Sequence, residues 1–188
     1  MAPSPAPVYV DLEWTPNPNT IKLVANRPLM ERGIASFKTL ADAAPSTLAQ
    51  KLLGVPGITG VMFGANFVTL TRGEQGDWVE IHEKSVAILK AHLDAGLPAM
   101  EQPLPEKPLS ASEAADEKRI REVLDNEIRP AVAMDGGDVQ FDHYSDGVLY
   151  VHMRGACSGC PSATYTLKMG IEKRLQEAIP GLKEVVQV

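Results

Sequence analysis

Both cysteines of the 188-residue chain lie in one short stretch, residues 155–161, with the sequence GACSGCP. The C-x-x-C spacing of Cys157 and Cys160 allows both sulfur atoms to point at one metal ion or one cluster. A strand-like run precedes the pair and a helical pattern follows it. The two thiols are therefore predicted to lie on a loop at the start of a helix, where the positive helix end favours thiolate over thiol.

Several kinds of chemistry fit this pair of cysteines. A C-x-x-C motif between a strand and a helix is typical of thioredoxin-like dithiols, and two small buried residues would need no chemistry at all. Zinc and the common iron–sulfur clusters usually take four protein ligands. A closed all-thiolate site would therefore need Cys157 and Cys160 from two chains, unless a partner or a small thiol fills the remaining positions. The spacing alone does not rank these alternatives.

The composition indicates a water-soluble globular protein of one or two domains. Apolar residues make up 44% of the chain and charged residues 22%, and the net charge is −6. This charge disfavours nonspecific binding to nucleic acid or to an anionic membrane. No apolar run approaches the roughly 20 residues that a membrane span requires.

The beginning of the chain lacks the pattern of a targeting segment. The first basic side chain is Lys22, and Asp11 and Glu13 come before it, whereas secretory and transit peptides are basic and poor in acidic residues. Two cysteines in one loop also do not make a disulfide framework, which favours a reducing compartment. We therefore expect a bacterial cytoplasmic protein, although the mature form of an organellar protein would look the same.

The first half of the chain is predicted to be a small α+β domain. Alternating apolar and polar residues predict a strand over 8–14, and strand-like runs predict further strands over 20–25, 58–63 and 67–71. Ser46 is the predicted N-cap of a helix from Thr47 to Leu53. Asp77 is the predicted N-cap of a second helix, which ends at Gly96 and has Val79, Val86, Leu89 and Leu93 on its buried face. Residues 15–19 are interpreted as a rigid two-proline turn. His82 and His92 lack an i, i+4 partner, so we expect solvated or capping histidines rather than metal ligands.

A proline-rich segment, residues 97–112, separates this half from the second. The second half is predicted to form another small α+β unit. Apolar residues at helical spacing predict a helix over 113–133, which a turn at 134–138 follows. Paired strands are predicted over 139–144 and 148–153, then a helix after the cysteines and a last strand over 183–188. The predicted fold class is therefore α+β, with two small α+β domains, 1–96 and 113–188, joined by the linker 97–112.

Motifs in the second half resemble the C-terminal domain of NifU and its stand-alone relatives, the Nfu proteins. The similarity runs from Glu113 to Val188 and depends on five motifs in order: IRP at 128–130, DGGDV at 135–139, GACSGCPS at 155–162, TLK at 166–168 and GIE at 170–172. The first half is similar to the N-terminal domain of Nfu proteins, and TPNPN at 15–19 is its most recognisable part.

The resemblance implies a scaffold or carrier for iron–sulfur clusters rather than an enzyme. In the family, the two cysteines of each chain bind a [4Fe–4S] cluster that is shared across a homodimer and then passed to apo client proteins. Cys157 and Cys160 occupy these ligand positions, and the count of two thiols per chain agrees with a shared site. The ligand count alone also permits [2Fe–2S]. Upstream cluster-assembly proteins are the implied donors, and the N-terminal half is expected to dock clients or tune delivery.

Overall fold

The computed structural model describes residues 7–31, 33–102, 115–159 and 161–188, without the side chains of 161–167. The chain divides into two compact units: the first comprises Met1–Trp14 and Asn19–Leu104, and the second comprises Thr15–Pro18 with Pro105–Val188. Each unit contains helices and a sheet, so the predicted α+β class is confirmed. Most of the predicted linker, residues 103–112, lies outside the described residues, and the predicted domain bounds stay predictions.

The first unit is a five-stranded antiparallel sheet with two helices. Its elements are β1 (Val10–Trp14), β2 (Thr20–Ala25), β3 (Ala35–Phe37), α1 (Thr47–Leu53), β4 (Ile58–Phe63), β5 (Phe67–Arg72) and α2 (Trp78–Asp94). The strands lie in the order β1-β2-β5-β4-β3, and every neighbouring pair is antiparallel. Leu23 and Phe63 of the sheet share one buried cluster with Leu48 of α1 and Leu89 of α2.

Both predicted helix caps of the first unit are confirmed. The Ser46 hydroxyl accepts a hydrogen bond from the Ala49 amide at 3.0 Å and donates one to the Ala99 carbonyl. The Asp77 carboxylate accepts from the amides of Val79 and Glu80 at 2.9 and 3.0 Å. Side-chain acceptors at these positions satisfy N–H groups that have no partner within a helix, which is why α1 and α2 begin where they do.

Some expectations for the first unit were wrong. Val79, placed on the buried face of α2, is 67% exposed, whereas Ile81 is buried. Two residues along a helix differ by about 200° around its axis, so these side chains point to nearly opposite sides. Strand β3 was not predicted. His92, expected to be solvated or capping, is buried in the last turn of α2, and its Nε2 atom lies 2.9 Å from the Pro98 carbonyl oxygen beyond the helix end.

The second unit is a three-stranded sheet with helices before and after its hairpin. Its elements are α3 (Ala115–Val123), a π-helical turn (Leu124–Ile128), α4 (Arg129–Met134), β6 (Gly137–Ser145), β7 (Val148–Gly155), α5 (Pro161–Ala178) and β8 (Glu184–Gln187). β7 pairs with β6 in antiparallel and with β8 in parallel orientation. Within the described residues, no helix is long and apolar enough to span a membrane.

The predicted helix over 113–133 is divided by the π-helical turn, which the apolar spacing did not indicate. The apolar residues at helical spacing in this stretch are nevertheless buried, since Ile120, Val123, Leu124, Ile128 and Val132 all belong to the core of the second unit. Pro130 lies in the first turn of α4, directly after the π-helical turn, and has no N–H group to donate to the preceding turn.

The β6–β7 hairpin fixes the position of the cysteine loop. Asp146 and Gly147 form its turn with φ values of 54° and 85°, which is the two-residue geometry that best matches strand twist. From this turn the register runs to a pairing of Gly137 with Gly155 at the far end. The turn before β6 and the cysteine loop after β7 therefore lie side by side.

Replacing Ser46 with alanine should destabilise the first unit by about 1–2 kcal/mol, because the variant loses a helix cap and leaves the buried Ala99 carbonyl without its donor. Both tryptophans of the chain, Trp14 and Trp78, lie in this unit, so urea unfolding followed by tryptophan fluorescence reports on it. Ser36→Ala, in the half-buried middle of β3, is the matched control. Equal midpoints for the two variants would contradict the prediction.

Candidate functional site

The cysteine loop, residues 155–159, begins where the β6–β7 ladder ends. Gly155 and Gly159 have φ values of 57° and 73°, a left-handed conformation that side chains disfavour, so the loop bends at both glycines. The Ala156 amide donates to the Gly136 carbonyl at 3.0 Å. This bond connects the loop to the turn that precedes β6, so the DGGD motif at residues 135–138 lies next to the cysteine loop.

Cys157 lies directly against Gly137. A Cβ atom built on Gly137 would fall 2.1 Å from the Cys157 sulfur, far inside van der Waals contact with it. The two glycines of the motif therefore have different roles. Gly136, with φ of 75°, makes the predicted helix-to-strand turn, whereas Gly137 is a strand residue whose missing side chain leaves room for the sulfur atom.

The Cys157 side chain is buried in this arrangement. It is 5% exposed and belongs to the core of the second unit together with Val139 and Met153. Two loop amides bond to the protein: Cys157 N–H donates to the Arg154 carbonyl at 3.2 Å and Ser158 N–H to the Gly155 carbonyl at 3.0 Å. The loop is thus a folded turn in which the thiol faces inward.

Cys160, the second predicted ligand, lies outside the described residues, and α5 begins directly after it at Pro161. Among the residues that the structure describes, no group of three or more histidine, cysteine, aspartate and glutamate side chains has the geometry to hold a metal ion. The predicted pair of ligands therefore stays a prediction.

Asn17 contacts the cysteine loop, a contact that the sequence did not predict. Its side-chain Nδ2 atom donates to the Ala156 carbonyl at 3.0 Å and to the Ser158 carbonyl at 3.1 Å, the two residues that flank Cys157. Asn17 is 3% exposed. The sequence suggested only a turn, and the available signal was an asparagine held between two prolines, which an ordinary turn does not require.

A buried ion pair holds the start of β6 against the preceding helix. The fully buried Asp138 accepts from Arg129 at 2.8 Å through Nε and at 3.3 Å through Nη2, and Asp125 accepts from Nη1 at 2.8 Å. Burial alone would lower the pKa of Arg129, but the hydrogen bonds and charges of these two carboxylates raise it above its usual value. The Arg129 guanidinium is therefore charged at every physiological pH, and its contribution to stability is lost as the pH rises through that raised pKa.

Removing the Arg129 side chain by Arg129→Ala should destabilise the second unit by about 3 kcal/mol, because it leaves the buried Asp138 charge without its partner. Amide hydrogen exchange of β6 and β7 measures the loss. Arg174→Ala is the control, because Arg174 forms ion pairs with Glu127 and Glu177 at the surface and its loss should change little. Similar exchange rates in the two variants would contradict the proposed importance of the buried pair.

Comparison with known proteins assigns both halves of the chain to families. Residues 120–186 match the family described as NifU-like domain, and residues 10–96 match the family described as scaffold protein Nfu/NifU N terminal. The chain is 36% identical over 184 residues to the human protein named NFU1 iron-sulfur cluster scaffold homolog, mitochondrial, and covers 72% of it. It is also 36% identical to the protein of that name from Drosophila erecta, of which it covers 65%.

A solution structure of a NifU-like protein from Saccharomyces cerevisiae is similar to 55% of the chain and to 92% of that protein, with 20% identity and a TM-score of 0.49. The family assignment depends instead on the two domain matches and on the relatives, whose similarity extends over 96% of the chain. The chain belongs to the NifU-like family of proteins that carry an Nfu-type N-terminal domain, as its motifs predict.

Proposed function

We propose that the protein is a scaffold and carrier of iron–sulfur clusters and that Cys157 and Cys160 are the cluster ligands. The observation that carries the proposal is the C-x-x-C loop, with Cys157 placed by the β6–β7 hairpin, in a chain whose relatives are named as iron–sulfur cluster scaffolds. The cluster is the cargo of the protein rather than a group that takes part in a reaction on it.

The donor set fits such a cargo. The chain contains two thiols, and iron–sulfur clusters are commonly held by four thiolates. We propose that two chains contribute Cys157 and Cys160 each and share one [4Fe–4S] cluster in a homodimer. A [2Fe–2S] cluster has the same ligand requirement and is distinguished by the iron and sulfide content of the loaded protein.

Sharing the cluster between chains suits a protein that must give it away. A site closed within one chain would retain its cluster, whereas separation of two chains exposes the cluster to an incoming thiolate that replaces one ligand at a time.

In this proposal, the recipients are apo iron–sulfur proteins and the donors are upstream assembly proteins. No conventional catalysis is proposed. The proposed location is the bacterial cytoplasm, and a mature organellar form is the alternative.

The geometry adds one requirement to this proposal. In the described conformation the Cys157 sulfur faces Gly137 inside the core of the second unit. A sulfur atom that binds iron shared with another chain must reach the surface. Loading therefore requires the cysteine loop to open, so that the Cys157 side chain leaves Gly137 and turns outward.

Replacing Cys157 with serine should remove nearly all cluster binding, because a shared site that lacks one ligand from each chain retains only half of its thiolates. The measurement is anaerobic reconstitution with iron and sulfide, followed by iron and sulfide content, Mössbauer spectrum and native mass. The unchanged chain should form a brown dimer with one [4Fe–4S] cluster per two chains.

Ser158→Ala is the matched control, since it alters the neighbouring side chain of the same loop and leaves both thiols in place. A full cluster on Cys157→Ser would reject Cys157 as a ligand. A colourless dimer with half a zinc ion per chain would favour a structural zinc site. A monomer with a reversible Cys157–Cys160 disulfide and turnover of a disulfide substrate would favour a dithiol oxidoreductase.

A further inference from the structure

One buried polar side chain of the second unit has no part in the cluster ligation proposed above. Asn17 lies in the segment Thr15–Pro18, which belongs to the second unit although it precedes the rest of that unit in sequence. Its amide group carries two N–H donors, and both are used on the cysteine loop, at 3.0 Å to the Ala156 carbonyl and 3.1 Å to the Ser158 carbonyl.

The two acceptor carbonyls are placed so that the Asn17 side chain restrains the backbone on both sides of Cys157. Ala156 and Ser158 precede and follow Cys157, so the Asn17 amide bridges the backbone across the residue whose sulfur lies on Gly137. An opening of the loop that moves the backbone on either side of Cys157 displaces at least one of these carbonyls. Each carbonyl that moves loses its hydrogen bond to an amide that is itself buried, and unpaired buried amides are unfavourable.

The segment that carries Asn17 is suited to hold it in place. Pro16 and Pro18 fix their own φ angles, and each restricts the residue before it to extended conformations, so the backbone of Asn17 has little freedom to lose. The Thr15 hydroxyl also donates to the Asn17 carbonyl at 3.0 Å. Asn17 can therefore form both bonds at a small cost in conformational entropy.

We infer that Asn17 is a positioning residue that latches the cysteine loop in its closed arrangement and thereby protects the Cys157 thiol until the loop opens. The latch consists of two neutral hydrogen bonds and is reversible, as a loop that must open for cargo requires. Its consequence for cluster loading depends on the proposed function, whereas protection of the thiol in the cluster-free protein does not.

Alkylation of the cluster-free, full-length protein tests the latch. With iodoacetamide under anaerobic, reducing conditions, Asn17→Ala should raise the rate of Cys157 modification about tenfold or more, because losing two hydrogen bonds increases the fraction of open loop. Asn17→Asp keeps the shape of the side chain but removes both donors and faces two carbonyl oxygens, so it should raise the rate at least as much. Both cysteines lie in the tryptic peptide 155–168, and fragment masses separate modification of Cys157 from that of Cys160.

Asn66→Ala is the matched control. Asn66 also lies in a turn and donates through Nδ2 to a backbone carbonyl, that of Ala25 at 3.3 Å, but in the first unit. This variant should leave the Cys157 rate unchanged to within about twofold, which is the effect expected of a change that touches no contact of the loop.

Amide hydrogen exchange distinguishes a latch from general loss of stability. In the Asn17 variants the amides of Ala156, Cys157 and Ser158 should exchange faster, while that of Val188, bonded to the Val151 carbonyl at 3.0 Å, should keep its rate. An unchanged Cys157 alkylation rate in both variants would overturn the inference. So would an equal acceleration of exchange in the loop and in β6 and β7, because Asn17 would then support only the whole unit.

The same variants distinguish failure of the latch from failure of the proposed function. If the latch operates in a cluster carrier, Asn17→Ala should form its cluster faster than the unchanged chain during reconstitution with ferrous iron and sulfide. A cluster retained by Cys157→Ser together with faster alkylation in Asn17→Ala would leave the latch standing and reject the ligand assignment.

Discussion

The contact between the Cys157 sulfur and the backbone of Gly137 links the position of the thiol to the arrangement of the second unit. Only glycine at this position leaves space for the sulfur atom. The contact needs Gly137 and Gly155 to face each other, which the register of β6 and β7 provides. A slip of one residue would turn every side chain of a strand to the other face and separate the cysteine loop from the glycine. The two-residue turn at the opposite end of the hairpin therefore contributes to the position of the thiol.

Under the proposed function, two opposing demands meet at this thiol. Burial at 5% exposure shields Cys157 from oxidants and other reagents, but a ligand for a shared cluster has to be reachable. The loop meets the first demand in the described conformation, because its amides bond to protein carbonyls and its thiol joins the core. The second demand requires a local rearrangement. The hairpin can keep its register while the loop after β7 opens.

Local chemistry explains what could be predicted from the sequence. Ser46 and Asp77 cap helices through contacts within three residues, and the hairpin turn at Asp146 and Gly147 is equally local. Val79 was misplaced because an apolar residue in a first helical turn can fit the periodic pattern by coincidence, and β3 is too short to show alternation. The roles of Gly137 and Asn17 depend on residues distant in the chain, and Asn17 lies 139 positions from the carbonyl it bonds. No local pattern encodes such contacts. The strand-like run before the two cysteines and the helical pattern after them did predict that a loop lies between β7 and α5.

The interactions that hold the start of β6 are stronger than those that hold the cysteine loop, and this difference allows the loop to move without unfolding the unit. Breaking the buried pair of Arg129 and Asp138 leaves an uncompensated charge, at a cost of about 3 kcal/mol or more. The bonds from Asn17 are neutral, and each contributes about 1 kcal/mol. Thermal fluctuations will therefore open the latch far more often than they displace the start of β6. In the proposed mechanism Gly137 remains in place when the loop opens, so the sulfur atom can return to the same position after the cluster has left.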